Sequence, residues 1–217
     1  MKLFKTFFFW NNREIAKYFK DKPADYRVKE RLEKIEADDR KSMMALDLGC
    51  GGGRHTELLI SLGFQTHIID PNPRMLHVTT KRAGADVLKS INKGVMTKLP
   101  FQDNIFDVVV TTGVLHQARS IDEYELAISE LSRVVKKSGI VCLNIFTSKV
   151  IDESMTKMDR MFLYQTKEGL FMSLLDKKCF YEMMTWFGFS LENEIAEDEV
   201  SENTGPRSVL RCNFIKN

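Results

Sequence analysis

Three kinds of residue in this 217-residue chain could do chemistry together: glycines at alternate positions, two carboxylates, and a histidine behind an apolar run. The glycines are Gly49, Gly51 and Gly53, in Leu46-Asp47-Leu48-Gly49-Cys50-Gly51-Gly52-Gly53-Arg54. Apolar residues lead into them, and Leu58, Leu59 and Leu62 follow at helical spacing, which predicts strand, tight turn and helix. Glycine permits backbone angles and close approaches that a Cβ forbids. A helix start behind such a turn offers free N–H groups and the positive end of a dipole. The pattern suits a ligand whose polar or anionic part rests on bare backbone. Asp47 is the first carboxylate. Asp70 is the second, 17 residues after Gly53, where a short apolar stretch ends in Asp70-Pro71-Asn72-Pro73. A nucleotide-binding α/β domain places an acid there to accept hydrogen bonds from ribose hydroxyls; an Asp before Pro also starts turns. His116 closes Val108-Val109-Val110-Thr111-Thr112-Gly113-Val114-Leu115-His116 and suits either a base or substrate-orienting group or a loop-ordering residue.

The spacing excludes two other nucleotide sites. A dinucleotide fingerprint needs a glycine at the sixth position, and counting from Gly49 that residue is Arg54. A phosphate loop needs Gly-Lys-Ser/Thr, which is absent. The turn alone would also serve any tight strand-to-helix corner.

The elements that must position these residues follow in order. Strands are expected at 44–48, 65–69, 91–96, 106–112, 140–146, 189–200 and 209–215. Helices are expected at 54–62, 75–82 (with 86–91 continuing or restarting it), 122–135 and 176–187. The run after Phe106-Asp107 suits a central strand buried on both faces. Lys136-Lys137-Ser138-Gly139 is expected to close a helix. In residues 148–175, Met155, Met158, Met161, Phe162 and Tyr164 recur at helical spacing. Ahead of the first strand, residues 1–42 hold twelve Lys/Arg and eight Asp/Glu. Ile15, Tyr18 and Phe19, then Val28, Leu32 and Ile35, mark two helices separated by Pro23, acting as a lid or simply packing on the core.

Composition is that of a soluble globular chain, 43% hydrophobic and 29% charged, with a net charge of +2 that does not steer it to nucleic acid. Residues 192–202 hold six acids and no base, a face that repels phosphate backbones. The four cysteines show no metal-ligand spacing, and Cys142 sits in an apolar run, so a reducing, cytoplasmic setting is expected and no metal site is. The apolar core at 7–10 is too short for a signal peptide, and no stretch is long enough to span a bilayer.

Pieces in order, Leu46–Gly53, Asp70, Leu99-Pro100-Phe101, Phe106-Asp107 through Val114-Leu115-His116, then the helix ending Lys137-Ser138-Gly139 and the terminal strand pair, resemble the class I S-adenosylmethionine-dependent methyltransferases, in particular the group with Leu-Pro-Phe and Val-Leu-His motifs. The resemblance implies an α/β, Rossmann-like, doubly wound sheet of seven strands, mostly parallel with an antiparallel last strand. It implies a methyltransferase domain over 43–217, an N-terminal helical lid over 1–42, and a substrate cap at 148–175. S-adenosylmethionine would be the cofactor and a small molecule the methyl acceptor, at O or N. A tRNA or other macromolecular acceptor, or a partner subunit that binds cofactor without transfer, are the alternatives. Gly49, Gly51 and Gly53 would let the donor approach the backbone, Asp47 would help place its ammonium, and Asp70 would take the ribose. Met75 would pack near the adenine, and Thr112 and Gly113 would face the methionine and sulfonium. In many relatives an acid follows the third-strand glycine; here Val95 stands after Gly94. Adenine would then rely on backbone at Met96, the Thr97 hydroxyl, and walls from Val95 and Leu99.

Overall fold

Alternating burial along the strands explains the layers of the computed structural model, which describes residues 12–202 and 204–217. On β1 (Met44–Leu48) and β4 (Phe106–Thr112), Leu46, Leu48 and Val109 point to one face and Ala45, Val108 and Val110 to the other. The first face is covered by α6 (Ile121–Val134) and α7 (Lys177–Trp186), through Tyr124, Ile128, Leu131, Phe180 and Met184. The second is covered by α2 (Tyr26–Glu33) and α4 (Arg54–Ser61), through Val28, Leu32, Leu58 and Leu59. Strands buried on both faces are why these stretches are continuously apolar.

The sheet has seven strands in the order β3-β2-β1-β4-β5-β10-β9. β2 (Gln65–Asp70), β3 (Ser90–Lys93) and β5 (Val135–Thr147) run parallel with β1 and β4. β10 (Gly205–Lys216) is antiparallel both to β5 and to the edge strand β9 (Phe189–Glu202). This is the doubly wound arrangement expected, with the last strand reversed. The order turns around at β1, so the crevice outside the carboxyl ends of β1 and β4 is where such a sheet binds ligands.

Local chemistry sets the helix ends. α1 (Arg13–Asp21) starts at Asn12, whose side chain accepts from Glu14 N–H, and stops before Pro23. Asp25 caps α2, Asn72 caps α5 (Pro73–Ala83) with Pro73 in its first turn, and Ser120 caps α6 by accepting from Glu123 N–H while the Glu123 carboxylate accepts from Arg119 N–H. α3 (Ala37–Arg40) is one short turn before β1.

Three expectations are corrected. The helical methionine spacing in 148–175 belongs to a three-stranded antiparallel sheet, β6 (Met155–Lys157), β7 (Leu163–Thr166) and β8 (Phe171–Ser173). Met155, Leu170, Met172 and Leu174 form its own small core, while Met161 is 70% exposed. Second, α6 passes straight into β5 at Val135, and Ser138 takes a positive φ of 62° inside the strand's irregular start, where residues 136–139 were expected to end the helix. Third, β3 stops at Lys93, Val95 bridges to Lys98 in a turn, and only Ala85–Val87 coils between Gly84 and β3. The apolar stretch at 7–10 lies outside the described residues. Among the described residues no helix is long and apolar enough to cross a membrane.

Candidate active site

The chain turns from β1 into α4 through Gly49, Gly51 and Gly53, all at positive φ, at 74°, 51° and 79°. Gly49 is crowded as well as left-handed, since a Cβ there would sit 2.4 Å from Val114 Cγ2. Gly49 N–H donates to Ile69 O at 2.8 Å, fastening the loop to β2. Asp70, at the β2 tip and 8% exposed, accepts from Gly51 N–H at 3.0 Å on one oxygen and from Asn72 N–H at 2.8 Å on the other. The second bond is the turn-starting role; the first ties the carboxylate to the glycine loop. Burial raises its pKa, and the two N–H groups oppose the rise. Thr79 of α5 donates its hydroxyl to Gly51 O at 2.7 Å, closing the far side.

Asp47 is 2% exposed and accepts from the Thr56 hydroxyl at 2.5 Å. Burial pushes its carboxyl up to about 6 against the pull of Thr56 and Arg54. It lies beneath the loop and not on the wall of the crevice, and Gly53 is likewise behind that wall.

Above the loop lies one cavity of about 1030 Å³. Gly49, Gly51, Asp70, Met75, Val95, Met96, Thr112, Gly113 and His116 all line it, so the structure brings together nine of the eleven residues that the sequence singled out. Val95 is 49% exposed and Met75 only 2%, so that end of the cavity has one open and one closed side.

His116 is 2% exposed in the short turn Leu115–Gln117 after β4. Its Nδ1 accepts from Phe146 N–H at 3.1 Å, and its ring stacks on Phe146 with centroids 4.1 Å apart at 17°. An acceptor Nδ1 leaves the proton on Nε2. Burial, with Arg207 adding to it, pushes the ring down to about 3. At neutral pH His116 is therefore an uncharged ring with its proton on Nε2, a state that suits the substrate-orienting reading better than the base.

Residues 46–143 match the family model described as a methyltransferase domain. Over those residues the chain is similar to methyltransferase domains, the family that its motifs resemble. A segment of 109 residues, 48% of this chain, is 38% identical to 44% of the demethylmenaquinone methyltransferase of Staphylococcus aureus. A segment of 110 residues, 50% of this chain, is 30% identical to 45% of the ubiquinone biosynthesis O-methyltransferase of Pelagibacter ubique. The chain thus spans less than half the length of these relatives. Its fold is similar to that of the 1,6-didemethyltoxoflavin-N1-methyltransferase of Burkholderia thailandensis, solved with 1,6-didemethyltoxoflavin and S-adenosylhomocysteine bound. The TM-score is 0.61 and identity 17%, over 89% of this chain and 81% of that one.

The cavity has a second half, on the side where a lid was expected, whose pairings sequence reasoning missed. Tyr18 and Lys22 of the N-terminal segment meet Glu202 of β9, each at 3.4 Å. Asp25 and Arg27 pair with Arg211 and Asp198, Arg211 reaching Asp198 at 2.8 Å and Asp25 at 3.3 Å. The acids of β9 are thus largely engaged with cations, Arg31 to Glu192 and Lys177 to Glu194 included. α1 itself rests on the loop: a Cβ at Gly52 would lie 2.3 Å from Phe19 O. Arg82 of α5 holds the end of α1 through the carbonyls of Lys20 and Lys22, at 2.7 and 3.3 Å. The contacts from Tyr18, Lys22, Asp25 and Arg27 to β9 and β10 join positions more than 170 residues apart, and no spacing in the sequence announces those pairings. Only Arg54 and His55, directly after the glycines, carried a positional signal.

Proposed function

We propose that this chain moves the methyl group of S-adenosylmethionine to an oxygen or nitrogen of a small-molecule acceptor. The observation that supports this best is the joining of Asp70 to the glycine loop, through Gly51 N–H, on the floor of one continuous cavity of about 1030 Å³. Pockets for a single drug-sized ligand run from roughly 300 to 1,000 Å³, so donor and acceptor have room side by side. The donor's ribose would take the remaining lone pairs of Asp70, its adenine the space between Met75 and the Val95–Met96 segment, and its methionine part the loop as far as Thr112 and Gly113.

The donor arrives activated, because its methyl sits on a positive sulfur. A lone pair of the acceptor forms the new bond to the methyl carbon as the carbon–sulfur bond breaks. The electron pair of that bond stays on sulfur, giving neutral S-adenosylhomocysteine, and the acceptor's proton passes to water. The protein's share is to hold the atoms in line and keep bulk water out. Nε2–H of His116 would hold an acceptor oxygen. α1 and the loop behind it would act as the lid of an N-terminal unit over 1–42, and the small sheet within 148–175 as the cap, contributing Leu170, Phe171 and Met172 to the wall.

A macromolecular acceptor such as tRNA would require unpaired cations beside the mouth. Lys22, Arg27 and Arg211 on the lid side are instead engaged with Glu202, Asp25 and Asp198, which favours the small acceptor. The relatives named for quinone methylation point the same way, and the buried, unpaired Cys50, Cys142 and Cys212 fit a reducing cytoplasm. Incubating the protein with S-adenosylmethionine and pooled metabolites, or with tRNA, and measuring S-adenosylhomocysteine by mass spectrometry separates the readings. Product with metabolites supports a small acceptor, product only with tRNA replaces it, and none with either leaves a partner subunit. Asp70→Ala should weaken S-adenosylhomocysteine binding roughly 10- to 100-fold by calorimetry, the worth of a hydrogen bond to a charged group. Unchanged affinity would contradict the ribose role.

A further inference from the structure

Asn144 carries an amide that the fold itself leaves idle. It stands on β5, lines the cavity, and pairs in register with Thr112 of β4 on one side and Arg211 of β10 on the other. Cross-strand neighbours share a face of the sheet, so these three side chains form one row. The outer two are engaged. The Thr112 hydroxyl meets His55 Nδ1 at 3.2 Å and Arg54 Nη2 at 3.4 Å, and Arg211 reaches Asp198 at 2.8 Å and Asp25 at 3.3 Å. Nearby, the Gln117 amide donates to Gly113 O at 2.5 Å. The partly buried Asn144 side chain has no hydrogen-bond partner among the described residues. A carboxamide brings one acceptor oxygen and two N–H donors, and inside a fold such groups are ordinarily paired. An unspent one on a cavity wall is placed for a ligand.

Position decides which part of the ligand. Asn144 O accepts from Gly113 N–H at 3.3 Å, so the amide stands beside the strand tip where the proposed donor ends in its sulfonium. Two residues on, Phe146 lines the same cavity, gives its N–H to His116 Nδ1 and stacks on the imidazole. Nε2–H of His116 also has no partner among the described residues. Strand residues two apart are separated by roughly 6.5 Å, a gap that one oxygen bridges with a hydrogen bond to each side. A hydroxyl has one proton and two lone pairs. Its proton can go to Asn144 Oδ1 and one lone pair can take the His116 N–H, which leaves the other lone pair for the methyl. A neutral amine nitrogen has a single lone pair, needed for the new bond, and would leave the His116 N–H without an acceptor. Charge agrees, because Arg211 beside Asn144 is held by two carboxylates and His116 is uncharged. We propose that Asn144 binds and aims the methyl acceptor, and that the acceptor atom is the oxygen of an uncharged hydroxyl group. The inference rests on the S-adenosylmethionine reading of the cavity. The carbon–oxygen bond forms as the carbon–sulfur bond breaks, the electron pair of the latter stays on sulfur, and the hydroxyl proton leaves to water. Asn144 Oδ1 guides that proton and does not keep it.

Incubating the unaltered chain with a metabolite extract and S-adenosylmethionine carrying an isotope-labelled methyl group tests the atom: the carbon NMR shift of the product should be that of an O–CH₃ group. An N–CH₃ or C–CH₃ product overturns the proposal and leaves the donor reading standing. Asn144→Leu, of similar size, should lower the rate of S-adenosylhomocysteine formation roughly 10- to 100-fold, the cost of a misplaced acceptor. Its affinity for S-adenosylhomocysteine should stay within about threefold, and its urea midpoint should not fall, because the side chain holds nothing in the fold. A merely structural residue would move the midpoint. Asn144→Asp, which keeps Oδ1, should retain more of the rate at a pH where its carboxyl is ionised. Full rate in Asn144→Leu, a parallel loss of S-adenosylhomocysteine affinity or of stability, or an Asn144→Asp no faster than Asn144→Leu overturns the role. Binding of S-adenosylhomocysteine without any labelled product overturns methyl transfer together with this inference, and no binding at all overturns the donor reading itself.

Discussion

The Asp47 carboxyl is shielded from water, and burial moves its pKa from an ordinary 3.8 to about 6. At 1.36 kcal/mol per pH unit that displacement is worth about 3 kcal/mol. The folded chain holds this proton more tightly than the unfolded chain does. The stabilisation from protonated Asp47 is therefore complete below about pH 4 and is lost as pH rises through about 6. Asp47→Asn keeps an oxygen for the Thr56 hydroxyl, preserves the shape, and removes the titration. Its new NH₂ group needs an acceptor and adds a constant penalty of about 1–3 kcal/mol, but a constant offset does not change with pH. Urea unfolding of both proteins at intervals from about pH 4 to about pH 7.5 should show the difference in stability shifting by about 3 kcal/mol in favour of the Asn variant as pH rises. Parallel curves, within about 0.5 kcal/mol, would refute the assignment of a buried, titrating Asp47. A second arm bears on function. If the donor's ammonium acts on this carboxylate, binding S-adenosylhomocysteine near pH 6 should release a proton from the unaltered protein and none from Asp47→Asn.

Because burial holds His116 down at about 3, it stays neutral across the working range, and the pH profile of kcat/KM should lack a limb between about pH 5 and 8 that vanishes in His116→Asn. The same variant should lower kcat roughly tenfold or more while keeping S-adenosylhomocysteine affinity within about threefold; lost cofactor affinity with kcat retained would place the residue elsewhere. Gly52→Ala introduces a Cβ 2.3 Å from Phe19 O and 2.6 Å from Lys20 N, backbone atoms that cannot swing aside, so the end of α1 should lift. Overpacking of this kind costs about 1–3 kcal/mol, and limited proteolysis should cut near residue 20 several times faster with the far-UV circular dichroism unchanged. Unaltered cleavage would mean that α1 is held without the loop.

The glycine turn and the elements around it were legible because their requirements leave marks on single residues. Positive φ at Gly49, Gly51 and Gly53 selects glycine, a strand buried on both faces demands Val108-Val109-Val110, and a cap selects Asn72, Ser120 or Asp176. The stretch 148–175 was not legible. Met155, Met158 and Met161 mimic a helical repeat, yet antiparallel pairing of Met155 with Thr166 and of Tyr164 with Met172 decides the local structure. Phe162, at a positive φ of 60°, is one of the residues by which that segment departs from any helix. His116 showed its place but not its protonation, which depends on a backbone N–H thirty residues away at Phe146. Arg54 passed as the residue that broke a dinucleotide pattern, and its environment is assembled from Pro23 and Thr112, far from it in sequence.

The family match stops at residue 143, and the cavity does not. Asn144, Phe146, the rim from Leu170 to Met172, Val209, Arg211 and the turn at Lys22 to Arg27 enclose its far half from stretches on either side of the matched one. One vessel is thus built of two parts with separate genetic addresses. Exchanging 144–211 and 12–27 for their counterparts in another such protein is expected to reshape that far half while Gly49, Gly51 and Asp70 keep their places.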